Sequence, residues 1–497
     1  MADPSTPPPP SHLDALLDED ADGRLRREME RSAGRPMETI ATGRLGRAVK
    51  LGSLAVSGGA KLALGKARRM LGGEGPALSR ESGLALASQM LSTFSELRGV
   101  AMKVGQMLSY VDDGLPPEMQ RLLSVLQRDA PALPVSTVHR VLREELGREI
   151  SQVFAEFEEK PLAAASIGQV HRARLLDGTP VAVKVQVPGI DQAMRSDLKN
   201  GRVAALLQRV LLVRADVEGV LAELEERLLD ECDYRKEADY QETFHRRFAG
   251  HPTIVVPKVF REASRRRVLT TELQHGRTYQ QWLASGPSRE ARLRAEGALY
   301  RFYLGSFYLD GLFNCDPHPG NYLFRDDGRI VFLDYGCCRP FLDERRRAWI
   351  AMALATREDT PEGIEQAART IGFIPPSVKE FDRASFRELM RHLYEPYLVD
   401  GEYDFALHRP AKTFRTMFVS NPNLFRMDMP RDAVFLNRIT FGLVSLMAEI
   451  GVPHNTFRVA NAYFARTDPD WPDDPVLEAE KHRAAPEGAA RVLLSKP

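Results

Sequence analysis

Asp316-Pro317-His318-Pro319-Gly320-Asn321, followed after a short hairpin pattern by Asp334-Tyr335-Gly336, is the stretch whose reading decides the fold. Leu312 and Phe313 lead into a polar loop, and Asn321-Tyr322-Leu323-Phe324 reads as a strand. Asp326-Asp327-Gly328 is a turn signal, and Ile330-Val331-Phe332-Leu333 returns as the second strand. The hairpin brings Asp334 back beside Asn321. A carboxylate, an amide oxygen and a second carboxylate then gather in one place, a set suited to Mg²⁺ and phosphate. A turn that is merely rich in Asp, Asn and Gly has the same composition, so the loop alone leaves both readings open.

Working back along the chain, Asp177-Gly178 makes a turn, and Val181-Ala182-Val183-Lys184-Val185-Gln186-Val187 alternates. Four valines share one face, with Lys184 on the other beside Ala182 and Gln186. In kinases a strand lysine of this kind holds the α- and β-phosphates and pairs with a helix glutamate, ahead of a D-x-x-x-x-N loop and a D-F-G tripeptide. Here the D-x-x-x-x-N spacing holds, while Asn314-Cys315 replaces the preceding His-Arg and Tyr335 replaces the Phe. A solvated lysine on an edge strand is the plain alternative. Where a glycine-rich loop would lie, the chain has Ala163-Ala164-Ala165-Ser166, whose Cβ atoms stand where glycine lets amides close on phosphates. Glu231-Cys232-Asp233-Tyr234-Arg235-Lys236-Glu237 falls on a helix-forming stretch. On one continuous helix Asp233 and Glu237 share a face and Glu231 points elsewhere. Glu237 is then the partner of Lys184, with an acidic surface helix as the alternative.

On this reading Lys184 holds the phosphates and Glu237 orients it. Asn321 and Asp334 bind Mg²⁺, and Asp316 positions or deprotonates the attacking oxygen. The strand Val268-Leu269-Thr270-Thr271-Glu272-Leu273 places Glu272 and Leu273 where backbone groups meet adenine.

A further helix is signalled by the apolar stripe Leu84, Leu91, Phe94, Leu97, Ala101, Val104, Leu108. Lys103 and Gln106 lie on its other side, where a solvent face is the simple reading. Taken together, Ala101-Met102-Lys103-Val104-Gly105-Gln106, the alanine stretch running on through Ser166-Ile167-Gly168-Gln169-Val170-His171, the Glu231-Cys232-Asp233 set and Asp316 to Asn321 resemble the UbiB/AarF family of atypical protein-kinase-like proteins. The likeness spans about residues 80 to 350 by motif and extends to about 470 through the C-terminal lobe. It implies an α+β, two-lobe kinase-like fold with an N-terminal helical extension and a mainly α-helical C-lobe. It also implies that Lys103 and Gln106 meet Glu231 and Asp233 as regulatory residues, obstructing the groove where a peptide would bind. ATP or ADP with Mg²⁺ are the implied cofactors. ATPase or small-molecule kinase activity in support of isoprenoid quinone synthesis is the implied role, with quinone-pathway lipids or enzymes as partners.

Expected units are a basic, partly disordered segment over 1–75, a helical extension over 76–150, an N-lobe over 151–274, a C-lobe over 275–470 and a tail over 471–497. Lys plus Arg and Asp plus Glu are 68 each in 497 residues, so no basic field argues for nucleic acid. The four cysteines, Cys232, Cys315, Cys337 and Cys338, lack C-x-x-C spacing and read as small buried residues in a reduced, cytoplasmic setting. Met1 to Pro10 is proline-rich and acidic rather than basic then apolar, so no cleavable signal peptide is expected there. The apolar run Leu51 to Gly65 is shorter than the roughly twenty residues that span a bilayer. A helix lying on an anionic surface and a helix packed on the body both remain open, with membrane contact peripheral at most. After Gly336 a charged helix begins near Asp343, so a long activation segment is missing. Two rival functions stay in view: an ordinary Ser/Thr protein kinase, and a nucleotide-binding scaffold without turnover.

Overall fold

The computed structural model describes residues 133–165, 167–192, 195, 229–407, 420–424, 426–428 and 430–464. The basic segment, Lys103, Gln106, Ser166 and the tail lie outside them.

The first element, α1 (Val135–Leu146), begins after Pro134 and stops where Gly147 turns left-handed at φ 64 and donates its N–H to Arg143 O. Its buried residues Val138, Val141, Leu142 and Leu146 form one helical stripe. That stripe faces an antiparallel sheet of β1 (Phe154–Phe157), β2 (Ala163–Ala165), β3 (Gly168–Leu175) and β4 (Pro180–Gln186), joined later by β6 (Val268–Glu272). The order is β1-β3-β4-β6, with β2 paired on β3. Val181, Val183 and Val185 are fully buried against α1 while Lys184 takes the opposite face, so the alternation read from sequence holds. One core therefore crosses the boundary expected at residue 150. β4 is flanked by β3 and β6, which removes the edge-strand alternative for Lys184. At the β3–β4 turn Gly178 has φ 85 and Thr179 N–H donates to the Asp177 carboxylate, a local Asx turn.

Next come α2 (Tyr234–Arg247), β5 (Ile254–Val255) and β6 (Val268–Glu272). Helices then take over, as the α+β expectation requires: α3 (Tyr279–Ala284), α4 (Arg289–Tyr300) and a π-helical continuation, Arg301–Asp310. Beyond Gly311 lie β7 (Leu312–Asn314), β8 (Tyr322–Phe324), β9 (Ile330–Phe332) and β10 (Cys338–Pro340). The predicted hairpin is real, with Tyr322 opposite Phe332 and Gly328 at φ 82 in its turn. β10 pairs with β7, and β5 adds parallel to β9. The helices α5 (Asp343–Arg357), α6 (Pro361–Ile371), α7 (Arg383–Leu393), α8 (Arg431–Ile450) and α9 (Thr456–Phe464) complete the described chain.

Aromatic packing fixes where the hairpin sits. Phe302 stacks on Phe332 at 3.7 Å between centroids, and Phe244 of α2 meets both Phe302 and Tyr335. Tyr335 is buried completely and its hydroxyl donates to Phe332 O, so the polar tip that distinguishes it from Phe is satisfied. All four cysteines are buried and unbridged. Burial, then nearby Glu231, pushes the Cys232 thiol up to about 12, as suits a packing residue. Among the described residues no helix is long and apolar enough to cross a membrane.

Candidate nucleotide and metal site

Lys184 Nζ donates to both carboxylate oxygens of Glu237, at 2.8 and 2.9 Å, with the side chains 16% and 4% exposed. The glutamate is delivered by the start of α2, which is tied to the sheet from two sides. Gln186 Nε2 donates to Cys232 O, and Tyr234 N–H to Arg266 O. Glu237 follows within the first turn, and the Tyr234 ring lies 4.9 Å beneath the Lys184 ammonium. Burial would pull the ammonium down, but Glu237 and then Asp334 outweigh it and hold it above the ordinary lysine value. Burial lifts Glu237 above the ordinary carboxylate range; Lys184 opposes this, and Asp334 and Glu231 add to it. One cation thus faces more than one carboxylate, a local excess of negative charge that favours a further cation.

The reading of Glu231 and Asp233 needs correction. They are not on one helix with Glu237, because the chain breaks at Cys232 and Asp233 before α2 begins. Asp233 is the N-cap of α2, accepting from Arg235 N–H and pairing with the Arg235 guanidinium. It is Glu231 that turns inward: a Cβ built on Gly336 would stand 3.7 Å from Glu231 Cγ, 3.3 Å from Asp334 Oδ1 and 3.9 Å from Glu237 Oε2.

The loop from Asn314 to Asn321 is built on Asn314. Its Oδ1 accepts from Asp316 N–H at 2.8 Å and its Nδ2 donates to Asp334 O at 2.7 Å, locking the two motifs together. Cys315 N–H donates to Cys337 O, extending the β7–β10 ladder by one step. Asp316 O accepts from the Tyr303 hydroxyl and from Asn321 Nδ2. Leu333 N–H donates to Asn321 O, and Gly336 N–H to Asp334 Oδ1 at 2.8 Å. Asn321 thus turns its amide nitrogen to Asp316, which leaves the amide oxygen as a hard donor, and the Asp334 carboxylate is a second. These hard oxygen donors fit Mg²⁺. Among the described residues no three His, Cys, Asp or Glu side chains form a metal cage.

Sequence reading missed Arg438 of α8, whose Nη2 donates to Asp316 Oδ1 at 2.5 Å. It also missed Asn314 and Tyr303 as supports of the loop. Asn314 was visible as a small polar residue two before Asp316, whereas nothing local marks Arg438, 122 residues on.

Two expected nucleotide contacts change. Ala163 to Ala165 form strand β2 rather than a loop, with Ala163 and Ala164 exposed and Ala165 half-buried. The small residue with no room is Gly168, where a Cβ would stand 2.3 Å from Val185 O, beside Lys184. Gly168→Ala is therefore expected to pry β3 from β4 and lower stability by about 1–3 kcal/mol. A lower urea midpoint with weaker nucleotide binding checks this, and an unchanged midpoint would contradict it. Near the expected hinge, Glu272 N–H already donates to Lys258 O and Leu273 N–H to Pro180 O. The segment before β6, bridged to it at Val259 and Thr271, takes the first donor and the β4 register takes the second, so neither amide is open to adenine.

Comparison with known proteins places the chain in a family. The ABC1 atypical kinase-like domain matches residues 125–368. Atypical kinase COQ8B, mitochondrial, of Rattus norvegicus is 32% identical over 416 residues, covering 80% of this chain and 77% of that protein. Atypical kinase COQ8, mitochondrial, of Saccharomyces cerevisiae is 26% identical over 449 residues, 88% of each. The Rv3197–erythromycin complex from Mycobacterium tuberculosis superposes with a TM-score of 0.54 at 31% identity, covering 76% of this chain and 95% of that one. On these matches the chain belongs to the UbiB family of atypical kinases, built on the ABC1 atypical kinase-like domain.

Proposed function

We propose that the chain binds ATP with Mg²⁺ in the cleft between the sheet-containing unit and the helical unit, as two kinase-like lobes. There it transfers the γ-phosphoryl group to water or to a small, lipid-linked acceptor. The observation that carries this reading is the meeting of Lys184, Glu237 and the Asp334 motif at one place, from three separate parts of the chain. Asp334 and Asn321 would hold Mg²⁺, which when bound neutralises phosphate charge. Lys184, oriented by Glu237, would hold the α- and β-phosphates. Asp316 would align the acceptor oxygen. The acceptor oxygen forms its bond to Pγ while the bridging P–O bond breaks, its electron pair leaving with ADP. The acceptor's proton passes to Asp316 and on to solvent.

A small acceptor is favoured over a protein because the chain runs from Gly336 straight into β10 and then α5 at Asp343, with no segment to seat a peptide. Lys103 and Gln106 of the K-x-G-Q extension would close the same groove, with Glu231 as their inward-facing neighbour. Support of isoprenoid quinone synthesis, with quinone-pathway lipids or enzymes as partners, is the role the family membership favours. The rat and yeast relatives are named mitochondrial. For this chain a reduced compartment is the setting its unbridged thiols fit.

Incubating the purified chain with γ-labelled ATP, with Mg²⁺ or with a chelator, and separating free phosphate, small-molecule and protein label, tests the proposal. Mg²⁺-dependent label in phosphate or a small acceptor is expected. Label confined to added protein substrates would favour the protein-kinase rival, and bound nucleotide with no turnover the scaffold.

A further inference from the structure

We propose that Arg438 is a catalytic residue whose guanidinium meets the phosphoryl group in transfer, reached from its place on the Asp316 carboxylate. The inference deepens the Mg²⁺–ATP reading above and rests on it. Phosphoryl transfer spreads negative charge over the oxygens of the moving group, and its catalysis consists largely of positive charge placed where that charge develops. Lys184 is held by both oxygens of Glu237 and serves the α- and β-phosphates in the proposed arrangement. The loop adds neither lysine nor arginine, since Asn314 through Asn321 contains none and Asn314-Cys315 stands where kinases carry His-Arg.

The fold brings in a guanidinium from elsewhere. Arg438 Nη2 lies 2.5 Å from Asp316 Oδ1, with the two side chains 10% and 11% exposed. Asp316 is the carboxylate that would align the acceptor oxygen, so a cation one hydrogen bond away stands beside the line of attack. Its support is firm. Gly442, one turn further along α8, sits so close to the loop that a Cβ there would come 2.4 Å from Pro317 Cγ. In the first turn of α8, Asp432 is gripped by Arg345 at 2.6 Å and by Trp349 Nε1 at 3.2 Å. A helix seated on both sides delivers a side chain with little play. The planar guanidinium can hold a carboxylate oxygen and a phosphoryl oxygen together, which a lysine ammonium matches poorly. It forms no covalent bond and stays protonated while the bonds to Pγ exchange.

The test compares the full-length parent with Arg438→Gln and Arg438→Lys, measuring single-turnover phosphate release, Mg²⁺–ATP affinity, affinity for ADP with aluminium fluoride, and melting temperature. Release is expected to slow by roughly 10²–10³-fold in Arg438→Gln, with ADP–aluminium fluoride affinity falling in parallel and Mg²⁺–ATP affinity nearly unchanged. Arg438→Lys should recover only a small part. Variants that turn over at the parent's rate would overturn the inference alone. So would equal losses of Mg²⁺–ATP and ADP–aluminium fluoride affinity, alone or with a lower melting temperature, because they mark a merely structural role. A parent without Mg²⁺-dependent release would remove the functional reading and the inference together.

Discussion

Asp334→Asn is expected to abolish Mg²⁺-dependent turnover, by roughly 10³-fold or more, while leaving the fold intact or firmer. The amide oxygen of asparagine can still accept the Gly336 N–H, and the Asp334 carbonyl that Asn314 holds is untouched by the change. What disappears is charge. Asp334 raises both Lys184 and Glu237, stabilising the ammonium and repelling the neighbouring carboxylate. Removing it relieves the repulsion at Glu237 and weakens the hold on Mg²⁺ in one step. A site that gains stability when its central carboxylate is neutralised is a site arranged for a cation. Phosphate release and urea unfolding on the same variant check both halves; normal turnover would sink the assignment of Asp334.

Lys184→Met should have the opposite balance, losing stability and nucleotide binding together. Breaking a buried ion pair leaves an uncompensated charge and costs about 3–5 kcal/mol. Glu237, 4% exposed, would then face Asp334 and Glu231 with no cation. Its carboxyl is already raised in the folded protein and would rise further. A raised folded value means that the folded state holds the proton more tightly than the unfolded chain. Its stabilising contribution is therefore complete below the ordinary glutamate range and is lost as pH climbs through the folded value. Urea midpoints of Lys184→Met should accordingly fall between acid and neutral pH more steeply than the parent's. Adding Glu237→Gln should restore most of the stability and none of the turnover. A Lys184→Met protein as stable as the parent at neutral pH would show that the pair is not the buried contact described.

How much of this was legible in the sequence depended on how local each feature was. The hairpin carrying Asp334 could be read because Asp327-Gly328 and the flanking apolar runs lie within a dozen residues, and the alternation around Lys184 is likewise local. The meeting of Lys184 with Glu237 came from a known pattern of spacing, since the two lie 53 residues apart. The Glu231 and Asp233 error arose from treating the stretch as one helix. Asp is a favoured N-cap, so Asp233 ahead of Tyr234 is the local signal for a helix restart there. The committed amides of Glu272 and Leu273 depend on strand register and on the Lys258 and Pro180 carbonyls, which no local pattern reveals. Arg438 is hidden for the same reason: it is one arginine on an amphipathic helix, and only tertiary packing sets it on Asp316.

The most direct test of the central claim is a crystal structure of the full chain with Mg²⁺ and a non-hydrolysable ATP analogue. The account predicts Mg²⁺ between Asp334 and the Asn321 amide oxygen, Lys184 Nζ on the α- and β-phosphates with Glu237 still bonded to it, and the γ-phosphate facing Asp316. Nucleotide bound away from Lys184, or a metal held by other side chains while Asp334 and Asn321 stay bare, would contradict it.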